Sequence, residues 1–183
     1  MIRRLCCVYR PVRRLDEVNG FLDLGLFEDA MAAARELLQR RRINAEEFDA
    51  CVNAILSCAP DLAPWRELIE GAYGRLTRNA RPRCAHLMLW FHATQEDHER
   101  AAPFIPGKFS GPFAFVNLLF AMSTYLGLKR LDKAQRLLPR CQRAARVAGN
   151  PEMRLMLGDV LEAYQRELQT VRATMVRAQG AMA

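Results

Sequence analysis

Three histidines, His86, His92 and His98, fall six residues apart, and six cysteines stand at positions 6, 7, 51, 58, 84 and 141. These are the side chains able to ligate a metal or attack a substrate, so their spacing decides which chemistry is open. Six residues along a helix turn through about 600°, which points neighbouring histidines in different directions. His92 and Glu96 share a face, but two ligands do not make a zinc site. No two cysteines form a CxxC pair, which removes the zinc-ribbon and thioredoxin patterns. Cys51 and Cys58, seven apart on an expected helix, would hold their Cα atoms about 10 Å apart, too far for a disulfide. Buried free thiols in a reducing compartment are the reading that remains. The chain carries no nucleophile elbow, Walker loop, dinucleotide fingerprint or HExxH helix. Its carboxylates fall in expected turns and solvent faces. The expectation is a protein that is not an enzyme and uses no metal or cofactor.

Composition bounds the partners. Of 183 residues, 51% are hydrophobic and 26% charged, which fits a folded domain or a short solenoid with a real core. Net charge is +7, and it is unevenly placed. Residues 1–50 carry nine basic and nine acidic side chains, residues 51–100 six of each, and residues 101–183 twelve against five. A basic C-terminal half could meet nucleic acid, anionic lipid or an acidic protein, or simply be a solvated surface. The longest apolar run, FAFVNLLFAM at 113–122, is about half a membrane span and reads as a buried helix, so no membrane partner is expected. The opening MIRRLCCVYRPVRRL has five arginines and no acid. Its apolar stretch is too short for a secretory signal, and residues 1–11 read as a basic N-terminal arm. A cytoplasmic location follows, with the mitochondrial matrix as the alternative that an Arg-rich start keeps open.

These side chains must be positioned by helices, because the apolar periodicity is helical nearly everywhere. Val18, Phe21, Leu22 and Leu26 share one face of a first helix; Phe27, Met31, Ala34 and Leu38 share one face of a second. Helices are expected near 12–24, 27–41, 45–57, 64–77, 82–94, 96–103, 111–127, 131–147 and 151–179, with an irregular loop at PFIPGKFSGP (103–112). Pro139 is expected to kink or split the eighth helix. Asn150 and Pro151 suit the cap and first turn of the last.

The turns fall into step. In LGLFEDA, Gly25 can close one helix in a left-handed conformation, Phe27 can wedge into the hairpin, and Glu28 and Asp29 suit the positive start of the next helix. Comparable junctions end at Ala30, Ala63, Ala101 and Ala134, at intervals of 33, 38 and 33 residues. That is the length of one helix–turn–helix repeat unit.

Gly25, Phe27, Glu28, Asp29 and Ala30 match the turn that opens the second helix of tetratricopeptide repeats, and the chain resembles that family over residues 12–147. Phe21 and Tyr125 occupy equivalent family positions, and Leu131, Asp132 and Ala134 keep part of the turn. The resemblance implies an all-α, right-handed superhelical array of antiparallel helix hairpins with a concave groove that receives a protein or peptide partner. Projected onto the junction alanines, the family pattern places Asn19, Phe48, Val52, Arg83, His86, Trp90 and Ser123 toward the groove. Trp90 and Arg83 are the residue types that most often anchor interfaces. Asn19 matches a position used to grip a C-terminal carboxylate, but the lysine expected four residues earlier is Leu15, so a more apolar peptide is expected. The segment GLFEDAMAAARELLQRRRINAEEF also resembles a pentatricopeptide unit, a family that binds RNA.

Two further features lie toward the C-terminus. Lys129, Lys133, Arg136, Arg140 and Arg143 follow at spacings of four and three, aligning on one helical face as a possible nucleic-acid surface. Residues 148–183 form a long final helix in which Leu157, Leu161, Tyr164, Leu168, Val171 and Met175 recur with the period of a packing seam. It either caps the repeat domain or pairs with a second copy over 151–179.

Overall fold

In the computed structural model, which describes residues 14–111, 113–147 and 151–180, every regular element is a helix and no strand occurs among the described residues. The order is α1 (Arg14–Asp23), α2 (Phe27–Gln39), α3 (Ala45–Cys58), a 3-10 turn (Ala63–Trp65) leading into α4 (Arg66–Arg75), and α5 (Arg81–Thr94). Then come the short α6 (His98–Ala101) extended by a 3-10 turn (Ala102–Phe104), α7 (Ala114–Gly127), α8 (Leu131–Val147) and α9 (Pro151–Gly180). No described helix is long and apolar enough to cross a membrane. The basic arm at 1–11, with Cys6 and Cys7, lies outside the described residues, as does Asn150.

The chain divides into two compact units, Met1–Cys84 and Ala85–Ala183. In the first, α1, α2 and α3 pack on one another, and α4 packs on α2 and α3. Its core follows from helical spacing: α2 and α3 pack together, and Ala34, Leu37 and Leu38 of α2 and Phe48, Val52 and Ile55 of α3 are all without exposed surface. Each such large side chain contributes about 1.5–3 kcal/mol through burial. A capping box starts α3: Asn44 Oδ1 accepts from the Glu47 N–H at 2.9 Å, while the Glu47 carboxylate accepts from the Asn44 N–H at 3.0 Å. The end of α2 is closed from a distance, because the Arg75 guanidinium donates to the carbonyls of Leu38 and Arg40. Two carbonyls of the last turn of α2 thereby gain partners.

In the second unit α7, α8 and α9 pack pairwise, and α6 packs on α7. Leu118, Leu119, Met122 and Leu126 of α7 meet Ala134 and Cys141 of α8 and Tyr164 of α9. The expected seam on α9 supplies this contact, with Leu161 and Leu168 partly buried beside Tyr164. The side chains of Leu157 and Met175 lie outside the described residues.

Three helix ends are built alike. Gly25 (φ 71°), Glu96 (φ 57°) and Lys129 (φ 56°) are left-handed, and each is framed by the same pair of backbone bonds. The next residue donates five positions back (Leu26 to Phe21, Asp97 to His92, Arg130 to Tyr125), and the left-handed residue donates three back. This pair of bonds defines the Schellman motif. Five residues after each comes a fully buried alanine, Ala30, Ala101 or Ala134.

Three expectations are corrected. The junction ending at Ala63 is a different structure: Ala59 is extended, Ala63 is exposed, and its N–H is held by Asp61 at 2.9 Å at the start of the 3-10 turn. Phe27 does not wedge into its hairpin; with Leu24 and Leu26 it is exposed at the turn between α1 and α2. And of the kink or split expected at Pro139 the split does not occur: α8 continues through the proline, which sits on the solvent side, where water can satisfy the carbonyl it leaves without a donor.

Candidate functional site

The residues projected toward a groove divide between the two units. In the first, Phe48 and Val52 have no exposed surface. The Phe48 ring packs against Tyr73 at 5.8 Å, so it offers structure and no contact area. Asn19 on α1 and Arg83 at the start of α5 are exposed.

In the second unit three of the projected residues, His86, Trp90 and Ser123, are each half-buried. His86 and Trp90 are four apart on α5, hence on one face, with ring centroids 4.9 Å apart in an edge-on pair. Phe113, just before α7, stacks on His86 at 4.7 Å and meets Trp90 edge-on at 5.3 Å. Phe120 of α7 lies 6.3 Å from Trp90. The indole Nε1–H donates to Asn117 Oδ1 at 2.8 Å, a bond from α5 to a buried amide of α7. The indole is thus fixed at its polar end and braced by neighbouring rings, while Phe113 leaves 41% of its surface to solvent. Asn117 and Phe113 escape the repeat projection. Their sequence signal is a lone amide in an otherwise apolar run, FAFVNLLFAM.

Ser123 lines a separate open cleft of about 550 Å³ between the C-terminal end of α7 and α9, with His98, Gly127 and Lys129 on one side and Asp159 and Arg166 on the other. The His98 ring lies directly on Gly127, where a Cβ would collide with the imidazole. A side chain at position 127 would therefore require the His98 ring to move.

The expected basic surface is brought together in part. Lys133, Arg136, Arg140 and Arg143 are exposed on α8. Lys129 leaves the row: it sits in the left-handed turn before α8 and pairs with Glu167 of α9. Rings accompany two of the cations, Lys133 lying 5.6 Å from the Tyr125 centroid and Arg140 5.9 Å from that of Phe109. Both rings come from other elements, so the spacing along α8 gives no sign of them.

Three of the four described thiols are quiet. Cys51, Cys58, Cys84 and Cys141 are free. Burial, aided by the Glu47 charge, pushes Cys51 up to about 12; burial and Asp49 push Cys84 to about 11; burial alone pushes Cys141 to about 11. At neutral pH these three stay protonated, and the thiol is a poor nucleophile and ligand. Among the described residues no three His, Cys, Asp or Glu side chains converge as a metal site would require. Compared with protein-family models, with curated proteins and with solved structures, the chain finds no significant match.

Proposed function

We propose that the chain is a non-catalytic interaction scaffold. Its helix hairpins stack as a right-handed, tetratricopeptide-like array and hold a segment of a partner protein on a concave face, anchored at the Trp90 cluster. The repeated turn supports the array: one Schellman motif followed by a buried alanine recurs at three helix junctions. The observation that carries the site is the arrangement of Trp90. A partly exposed indole held by a buried amide and flanked by aromatic rings is already ordered before a partner arrives, so little side-chain entropy is lost on binding. Aromatic anchors of this kind dominate interface energies, and losing one costs about 2 kcal/mol or more, roughly thirtyfold in affinity.

The test is affinity capture from native cells with nuclease present, comparing wild type with Trp90→Ala and Arg136→Glu. Trp90→Ala is expected to lose the captured protein while Arg136→Glu keeps it, both variants having native helix content. The reverse pattern overturns the proposal. Trp90→Phe, which keeps the ring and loses the bond to Asn117, is expected to fall between them.

A further inference from the structure

We propose that the exposed face of α8 binds a single-stranded nucleic-acid backbone. Within α8 five residues are basic (Lys133, Arg136, Arg140, Arg143 and Arg146) against one acid, Asp132 in the first turn, a surplus of four charges on one helix. Lys133, Arg136, Arg140 and Arg143 are exposed and, at 100° per residue, fall within an arc of about 80°. From Lys133 to Arg143 they span about 15 Å of helix axis. A single strand laid along this row brings several of its phosphates within reach of the four cations.

Anionic lipid would need something else. A surface-binding amphipathic helix buries its apolar face in the bilayer. On α8 that face is already spent: Ala134 and Cys141 are buried, and Leu131, Leu137, Leu138 and Ala144 pack on the core shared with α7 and α9. An acidic peptide would be served by the charges alone. Nucleic acid is favoured by the rings: Lys133 and Arg140 lie over Tyr125 and Phe109, which are only partly buried against the core, so a cation drawn off its ring onto a phosphate leaves a ring face on which the adjoining base can stack. Lys129 takes no part, because Glu167 already neutralises it. The inference is independent of the partner site at Trp90.

Fluorescence anisotropy of labelled oligouridylate and oligothymidylate, each of about twelve nucleotides, tests this on the full chain. Both strands are expected to bind, with log K falling against log salt at a slope of roughly −2 to −3, a loss of about fifteen- to sixtyfold between about 50 and 200 mM. Arg136→Ala and Arg143→Ala, at exposed positions, each reduce the slope by about 0.7. Tyr125→Leu and Phe109→Leu weaken binding roughly five- to hundredfold and leave the slope unchanged. Trp90→Ala leaves both quantities unchanged. The inference is overturned by the absence of binding to either strand, or by a slope that the double variant Arg136→Ala/Arg143→Ala does not move. Equal affinity for oligoglutamate, or tighter binding to phosphatidylserine vesicles, overturns it as well.

Discussion

Ala63 and Ala134 end junctions that spacing along the chain treats as equivalent, yet one is exposed and the other has no exposed surface. The difference lies five residues upstream. Before Ala134 the chain turns left-handed at Lys129, and the two Schellman bonds aim the next helix back along the one just ended. Before Ala63 no such turn exists; Ala59 is extended, and the chain passes through a 3-10 turn into α4. A small residue is therefore required where a closed hairpin brings two helices together, and the interval between alanines follows from that geometry.

Enlarging both residues is the sharpest way to break this contrast. Ala134→Leu inserts three carbons into a filled contact and is expected to cost about 1–3 kcal/mol. Ala63→Leu, at an exposed position, is expected to stay within about 0.5 kcal/mol. Urea unfolding of the two variants measures the difference. Equal losses would mean that the buried alanine is not what its hairpin depends on, and the repeat reading would fall with it.

The two units also use their arginines differently. In the first, Arg75 is spent on the frame, closing the end of α2, and Arg35 lies 4.4 Å over the Trp65 ring. In the second, Arg136, Arg140 and Arg143 of α8 stand at the surface of a core to which they add little. Arg75→Ala leaves two helix-end carbonyls without their donor, and about 1–2 kcal/mol is expected to be lost. Arg136→Ala is expected to change stability by less than about 0.5 kcal/mol, whatever it does to ligand binding. Thermal melts of the pair decide this, and a stable Arg75→Ala would show that water replaces the guanidinium at no cost.

The helices were legible in the sequence because local periodicity sets them. The expected starts of α2, α3, α8 and α9 coincide with those observed, and the long final helix ends within one residue of expectation. What escaped is non-local or carries no residue signature. Glu96 and Lys129 take a backbone conformation usually written as glycine, so two of the three closed turns look unlike the first. The row of cations on α8 was visible, but the rings beside it arrive from the loop before α7 and from α7 itself. The family pattern pointed Phe48 and Val52 toward a groove, whereas side chains of that size on α3 are taken up by the core of the first unit. Trp90 was visible as an anchor type; its partner Asn117, 27 residues away, belongs to tertiary packing.

The smallest expected effect concerns the left-handed turns themselves. A side chain at such a φ costs about 1–2 kcal/mol relative to glycine. Glycine, in turn, carries about 0.4–1 kcal/mol of extra unfolded-chain entropy. The two contributions oppose, so exchanging glycine for another residue leaves a modest balance whose sign is set by φ. Gly25→Ala is expected to destabilise the first unit by about 0.5–1 kcal/mol, although no atom lies within 4 Å of the added Cβ. Glu96→Gly is expected to stabilise by no more than the same amount. Lys129→Gly gains less, because it also removes the ion pair with Glu167, worth up to about 1 kcal/mol at the surface. If the three turns are one motif, the ranking Glu96→Gly above Lys129→Gly above Gly25→Ala holds in chemical unfolding. A gain in stability from Gly25→Ala would mean that the first turn is held by something other than its backbone conformation.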